Sequence, residues 1–295
     1  MCRKQWISLR LALLLIYCGL GASTESVAGN DDLRMKYLPS NCSEAVHLAG
    51  SKAKSGIYKI GLPLPQGAVK EFYVYCLLDP LGGEAWTLIQ RRQNKSIDFY
   101  RGWEGYKNGF GNLNTDFFIG LDKLHALTES QLHELWIEMK DFDGVEKHAM
   151  YDSFAITDES QKYAMSILGT YSGTAGDALT EAHGGANFST FDQDNSGGVY
   201  NCPYYFKGGW WYAKWPCGES NLNGVYHNGS YDEKYAEGIT WPNWRGSKYS
   251  MKYVHMAIRP KSNYPYRKTA DSSTLLTRTT SPQHYKPKPN NHAKL

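Results

Sequence analysis

Residues 131–154 run QLHELWIEMKDFDGVEKHAMYDSF. Leu135, Ile137 and Met139 alternate with Glu134, Glu138 and Lys140, the period of two of a strand with one face in the core and the other in water. The run meets Asp143-Gly144, a pair favoured in tight hairpins because both residues tolerate positive φ. Residues 145–154 then supply the returning strand. An antiparallel sheet is the expected frame.

Working outward, KEFYVYCLL (70–78) is apolar at alternate positions Phe72, Val74 and Cys76 and also between them at Tyr73, Tyr75 and Leu77. That pattern predicts a strand buried on both faces. In FFIGLDKLHALT (117–128), Leu121, Leu124 and Leu127 recur at three-residue spacing and predict a helix. From about Gly169 to Gly246 the chain is dense in Gly, Asn, Ser and aromatics, with few periodic runs. Loops that long inside a compact domain are usually functional. The fold class is α+β, with a second half built from loops. Composition is even from Cys42 to Pro260, with no internal repeat and no linker-like break, which predicts one domain over 42–260.

The flanks differ. Arg3, Lys4 and Arg10, then LALLLIYCGL, then Gly21 to Ser23 follow the basic, apolar, small-residue order of a secretory signal peptide over 1–23. No later segment is apolar for long enough to span a membrane. Residues 24–41 form a short polar lead-in without heptads. Residues 261–295 carry seven Lys and Arg against Asp271 alone and are rich in Ser, Thr, Pro and Asn, the composition of a disordered basic tail. Without that tail and the signal segment, 22 of the 32 Lys and Arg remain against 28 of the 29 acidic residues. An acidic body argues against nucleic acid as partner.

Cys2 and Cys18 leave with the signal segment, so Cys42, Cys76, Cys202 and Cys217 remain, an even set suited to an oxidising compartment. Four cysteines allow three pairings, of which Cys42–Cys76 with Cys202–Cys217 is the simplest in sequence order; closing the second loop removes roughly 3 kcal/mol of unfolded-chain entropy. A zinc site lacks its C-x-x-C or paired-histidine spacing. N-x-S/T acceptors stand at Asn41, Asn94, Asn187 and Asn228, each a surface glycosylation signal in a secreted chain.

Two stretches hold the chemistry. FDQDNSGGVYNC (191–202) alternates Asp192, Asp194 and Ser196 ahead of a glycine pair, so that side-chain oxygens and carbonyls can converge on Ca²⁺. KGGWWYAKWPC (207–217) packs three tryptophans and a tyrosine between Gly-Gly and Pro-Cys. Neighbours on a strand face opposite sides, so Trp210 and Trp211 cannot both point into the core if the segment is a strand.

The chain closely resembles the fibrinogen C-terminal domain, shared by fibrinogens, ficolins, tachylectins and angiopoietin-like proteins. The resemblance rests on YCLLDPLGGEAWTLIQRR, DFYRGWEGYKNGFGNLNTDFFIGLDKLHALT, KDFDG, YSGTAGDAL, NC followed by KGGWWY, SNLNGVY and YAEGITW. It implies an N-terminal subdomain tied by Cys42–Cys76, a central, mainly antiparallel sheet, and a loop-rich C-terminal subdomain with the second disulfide. The resemblance also implies a Ca²⁺ site at Asp194, Ser196, Gly198 and Tyr200. Ser196 stands where an aspartate is usual, which weakens the site. Asp192 is close enough in sequence to compensate through water. An acetyl-binding pocket is implied at Cys202, Phe206, Cys217, Gly218, Tyr235, Ala236 and Ser247. Tyr235 and Ala236 match its pattern, whereas Phe206 and Ser247 replace tyrosines and Gly218 replaces a histidine. The disulfide loop is longer near Trp215-Pro216.

No G-x-S-x-G, H-E-x-x-H or phosphate-binding glycine loop appears, so no enzyme is expected. The reading is a secreted recognition protein for glycans or acetylated surface groups, as in innate immunity. The alternative is an extracellular receptor ligand or matrix-adhesion factor that uses the same surface for a protein. Without a coiled-coil stalk, a lectin of this kind is expected either to form homo-oligomers through the domain itself or to work beside a multivalent partner.

Overall fold

The computed structural model of the chain describes residues 38–63, 69–214, 217–218, 220–232 and 234–261. The signal segment, the lead-in before Leu38, Trp215-Pro216 and the basic tail after Lys261 lie outside the described residues. In chain order the elements begin with α1 (Cys42–Ala49), β1 (Gly56–Pro63), β2 (Val69–Leu77), β3 (Trp86–Arg92), α2 (Trp103–Asn108), β4 (Phe110–Gly111) and β5 (Phe117–Phe118). They continue with α3 (Leu121–Ser130), β6 (His133–Lys140), β7 (Glu146–Ala155), β8 (Ile167–Leu168), β9 (Tyr171–Gly173), α4 (Thr180–His183) and α5 (Cys202–Phe206). The last are β10 (Gly229–Ser230), α6 (Pro242–Arg245), β11 (Tyr249–Ser250) and β12 (Tyr253–Pro260).

The hairpin signal is fulfilled by β6 and β7, which pair antiparallel from His133↔Phe154 to Lys140↔Glu146. Gly144 takes φ +85° in the turn, and the Asp141 carboxylate accepts from the Val145 N–H at 2.8 Å. Around this hairpin runs a ten-stranded sheet in the order β1-β2-β3-β12-β6-β7-β8, with β5 added to β3, β4 to β5 and β9 to β7. Its ladders are antiparallel, as expected. The predicted helix is α3, which buries Leu121, Leu124 and Leu127.

The expectation for residues 70–78 is corrected. In β2, Phe72, Val74 and Cys76 are buried, but Tyr73 is 60% exposed and Tyr75 and Leu77 are half-buried. The second face of β2 is open at Tyr73 and only partly covered at Tyr75, where the Arg91 guanidinium lies over the ring at 4.6 Å. The strand buried on both faces is β3, where all seven residues of WTLIQRR are inside, including Thr87, Gln90, Arg91 and Arg92. Buried polar groups need partners, and here they reach into the loop half. Gln90 Nε2 donates to the Leu222 carbonyl at 2.9 Å, and Arg92 Nη1 donates to the Gly224 carbonyl at 2.8 Å. The Arg92 guanidinium also lies over the Phe99 ring at 3.8 Å. Burial pulls the Arg92 pKa down to about 10, which leaves it charged at neutral pH.

Cys42–Cys76 ties α1 to β2, and Cys202–Cys217 closes the aromatic loop. Both simplest pairings are therefore the ones formed. In that loop Trp210 and Trp211 are both fully buried, because the segment is no strand with a wet face. Among the described residues it pairs through Trp210 with Ser189, and the Trp211 ring packs between Phe188 of a neighbouring loop and Phe154 of β7. The Trp211 indole donates to the Tyr163 carbonyl at 2.8 Å and meets Phe188 edge-on at 5.0 Å. The Gly-Gly ahead of the tryptophans has the same origin. A Cβ on Gly208 would lie 2.5 Å from the Asn223 carbonyl oxygen, and one on Gly209 would lie 2.5 Å from the Tyr106 ring.

Candidate functional site

The Asp-rich loop is pinned before any ion is considered. The Asn195 N–H donates to Ser189 Oγ at 2.9 Å, and Asn195 Nδ2 donates to the Phe188 carbonyl at 2.7 Å. Asp194 is exposed, and its Oδ1 accepts from the Ser196 N–H at 3.0 Å. Ser196 is buried, with Oγ 3.6 Å from Cys202 Sγ and accepting from the Gly198 N–H at 3.4 Å. The Tyr200 carbonyl lies 3.7 Å from the same sulfur. Loop and disulfide thus form one unit. Asp194, Ser196, Gly198 and Tyr200 together offer only oxygen donors, the kind Ca²⁺ takes, with a single carboxylate among them. Among the described residues no group of three His, Cys, Asp or Glu could hold a metal, so an ion here depends on hydroxyl and carbonyl oxygens.

The Asp192 carboxylate already has protein partners of its own. It accepts from the Trp103 N–H at 2.9 Å and from Thr190 Oγ1 at 2.6 Å. It sits so close over Gly102 that a Cβ there would lie 2.3 Å from Oδ2. Asp192 thus fastens the start of α2.

The seven positions of the expected pocket fall into two groups. Cys202, Phe206, Cys217 and Gly218 belong to the disulfide corner, where Phe206 stacks on Tyr212 at 5.8 Å. Gly218 takes φ +102°, and a Cβ on it would lie 2.1 Å from Cε1 of His183. His183 is the residue that sequence reasoning missed. It is buried at the end of α4, and its Nε2 accepts from the Ser220 N–H at 3.0 Å. Nδ1 therefore carries the proton and donates to the Trp211 carbonyl at 2.8 Å. Burial lowers its pKa to about 4, so the ring is neutral. The room a side chain would take at position 218 is filled by this imidazole. A lone histidine in an aperiodic stretch carries no signal of that in sequence.

Tyr235, Ala236 and Ser247 form the second group. Tyr235 is 64% exposed, while Ala236 is buried in a left-handed conformation, φ +57°, with its N–H donating to the Ser247 carbonyl at 3.0 Å. Tyr231 locks this arrangement. Its hydroxyl donates to the Ser247 carbonyl and accepts from the Gly238 N–H, both at 2.9 Å. Tyr235 and Ser247 line an open cleft of about 450 Å³ with Tyr231, Arg245, Lys248 and Tyr249. Behind it, Arg245 binds Asp141, with Nε at 2.9 Å, and reaches Asp143 at 2.7 Å. Burial opposes ionisation of Asp141, but the bonds from Arg245 and the Val145 N–H outweigh it and hold its carboxyl below the usual range. Tyr249 Oη accepts from the Phe142 N–H at 2.9 Å. The turn between β6 and β7 is thus the back support of the cleft.

The four sequons differ. Asn41 is 3% exposed and caps α1, its Oδ1 accepting from the Glu44 N–H. Asn187 is half-buried, with Phe188 and Ser189 fully buried after it. Asn94 and Asn228 are exposed. Among the described residues no helix is long and apolar enough to cross a membrane.

The family described as the C-terminal globular domain of fibrinogen beta and gamma chains matches residues 38–261. Ryncolin-4 of Cerberus rynchops is 42% identical over 223 residues, covering 76% of this chain and 61% of that protein. Human fibrinogen C domain-containing protein 1 is 38% identical over 218 residues, covering 72% and 45%. The chain therefore spans about half the length of these relatives. Among solved structures, the fibrinogen-like globe domain of human ANGPTL2 superposes with a TM-score of 0.69 at 39% identity, covering 76% of this chain and 99% of that one. Lamprey fibrin D-dimer, complexed with the peptide Gly-His-Arg-Pro-amide, gives 0.68 at 28% identity, covering 87% and 85%.

Proposed function

The chain belongs to the fibrinogen C-terminal globular domain family, and from that premise we propose that it is a secreted recognition protein, a binder and not an enzyme. Its ligands are glycans or acetylated surface groups, taken in the cleft of Tyr235 and Ser247 and supported by Ca²⁺ at Asp194, Ser196, Gly198 and Tyr200. The cleft carries this reading: an exposed aromatic ring stands over a backbone wall that Tyr231 fastens from behind. Its volume of about 450 Å³ is in the range of small-ligand sites. Two formed disulfides suit secretion. With Ser247 where the resemblance has a tyrosine, the cleft closes less tightly on an amide, so selectivity against ligands lacking one is weak. A glycan array probed with and without calcium tests the reading. Wild type is expected to bind, with N-acetylglucosamine weak among the ligands, and Tyr235→Ala to lose all binding while still folded. Retention of every ligand by folded Tyr235→Ala would sink the site.

A specific feature favours the second reading, a receptor ligand or adhesion factor. Phe191, Tyr200, Tyr204 and Tyr205 are exposed in one short stretch. Phe191 meets Tyr100 at 4.7 Å, and Lys207 lies over both Tyr100 and Tyr204. Tyrosine-rich exposed surfaces are typical of protein interfaces, and the related fibrin fold is seen with a peptide. Loss of cell-surface or matrix binding in Tyr204→Ser with Tyr205→Ser, with glycan binding intact, would favour this reading.

A further inference from the structure

Asn228 is exposed and lines a second cleft of about 580 Å³ together with His227, Ser230, Tyr231 and Asp232. Ser230, Tyr231 and Asp232 also line the cleft of Tyr235 and Ser247, so the two share a wall. The backbone around Asn228 is fixed. The His227 N–H donates to Ser250 Oγ at 3.2 Å, and Gly229 and Ser230 pair with Ser250 and Tyr249 in the short β10–β11 ladder. Tyr249 itself lines the Tyr235 cleft. Whatever is attached to Asn228 is therefore aimed from a rigid base beside the ligand cleft. Asn228-Gly229-Ser230 is an acceptor tripeptide, and an N-linked glycan is bulky and surface-bound. Of the other sequons, Asn41 is buried as a helix cap and Asn94 sits after β3 on another loop.

We propose that Asn228 is a glycosylation site whose glycan stands over the shared wall and screens the Tyr235–Ser247 cleft from bulky ligands. That this cleft is the ligand site rests on the function proposed above; that the glycan covers it does not. The size of access to the cleft would then depend on the glycan the producing cell attaches.

The test uses the full chain secreted from a glycosylating eukaryotic cell, as wild type, as Asn228→Gln, and as native wild type treated with an N-glycosidase. Peptide mass mapping reads whether Asn228 carries a glycan. A bulky amine-reactive biotin ester then reads access to the cleft through Lys248, which is exposed on its rim, with exposed Lys52 and Lys54 near α1 as internal references. The expected result is an occupied Asn228 in wild type and a several-fold rise in Lys248 labelling in both glycan-free forms, with Lys52 and Lys54 unchanged. An unmodified Asn228, or Lys248 labelling equal in all three forms, would overturn the proposal. Immobilised acetylated albumin is the final probe, and its capture is expected to rise with the Lys248 signal. If labelling rises but no form captures the albumin, the glycan still screens the cleft and the acetyl reading alone fails.

Discussion

The sheet and the loop-built half are stable for different reasons. In the sheet, order comes from repetition: β12 pairs with β3 on one side and β6 on the other over long registers, and Val254, Met256 and Ile258 are buried along it. Between about residues 177 and 250 there is little repetition, and order comes from individual side chains that satisfy backbone groups. His183 bridges Trp211 and Ser220, Asn195 holds Phe188 and Ser189, and Asn223 Nδ2 holds the Gly209 carbonyl. A backbone freed from ladders can be bent to shape a cleft, at the cost that each bend needs its own dedicated partner. The loop half should therefore be as rigid as the sheet but far less tolerant of single changes.

The largest effect expected is at Trp211. It is fully buried and makes its own hydrogen bond to Tyr163, so Trp211→Ala should cost about 3–5 kcal/mol, as for aromatic truncations in any close-packed core. Denaturant unfolding measures this. A cost below about 1 kcal/mol, with the sheet's amides still protected from exchange, would mean that the loop half is a loose attachment.

The next largest lies on the seam between the two halves. Asp141 belongs to the β6–β7 turn and Arg245 to the wall of the cleft, with the Asp141 side chain fully inside and Arg245 30% exposed. Asp141→Asn leaves Arg245 with Asp143 alone and should cost about 2–3 kcal/mol, below the range for a fully buried pair because Arg245 keeps contact with water. The same variant should weaken ligand capture, since the turn also holds Tyr249. Equal stability of variant and wild type would show that the Asp141–Arg245 pair adds nothing to the joint made by β3 and the Phe142–Tyr249 bond.

The seam also marks how far sequence could be read. The β6–β7 hairpin and α3 were legible because alternation and three-residue spacing follow directly from which face is wet. β3 was hidden, since its buried Gln90, Arg91 and Arg92 look like surface residues until their loop partners are known. For the site, Asp194 and Tyr235 could be named from resemblance. The occupation of Asp192 by α2 and the filling of position 218 by His183 could not, because both contacts join segments far apart in the chain.

Acid should separate the halves less sharply. His133 and His255 in the sheet and His183 in the loop half are all buried, and burial lowers their pKa values to about 4, about 3 and about 4. An unfolded histidine takes up its proton near pH 6.5, well above these values, so below that pH the unfolded state binds more protons. Stability should then fall with pH between about 6.5 and 4, by about 1.4 kcal/mol per pH unit for each histidine. Unfolding midpoints followed across that window by tryptophan fluorescence and by far-UV circular dichroism should move together. A fluorescence midpoint that falls alone would show that His183 opens the loop half independently.

The smallest effect expected is that of calcium, and it acts on the loop half only. With one carboxylate at Asp194 and Ser196 in place of a second, the proposed site would attract Ca²⁺ with half the side-chain charge of a two-carboxylate loop. At free calcium about five times the dissociation constant, binding to the folded state alone stabilises by about 1 kcal/mol. Asp194→Ala should abolish that gain. Ser196→Asp should enlarge it, provided the new carboxylate fits where Ser196 Oγ now lies 3.6 Å from the disulfide sulfur. Hydrogen exchange should place the protection at residues 194–200 and leave β6 and β7 unchanged. An unaltered melting curve for wild type across millimolar calcium would remove the ion from this loop. The loop would then keep its shape through the bonds of Asn195 and Ser196 and the disulfide it packs on.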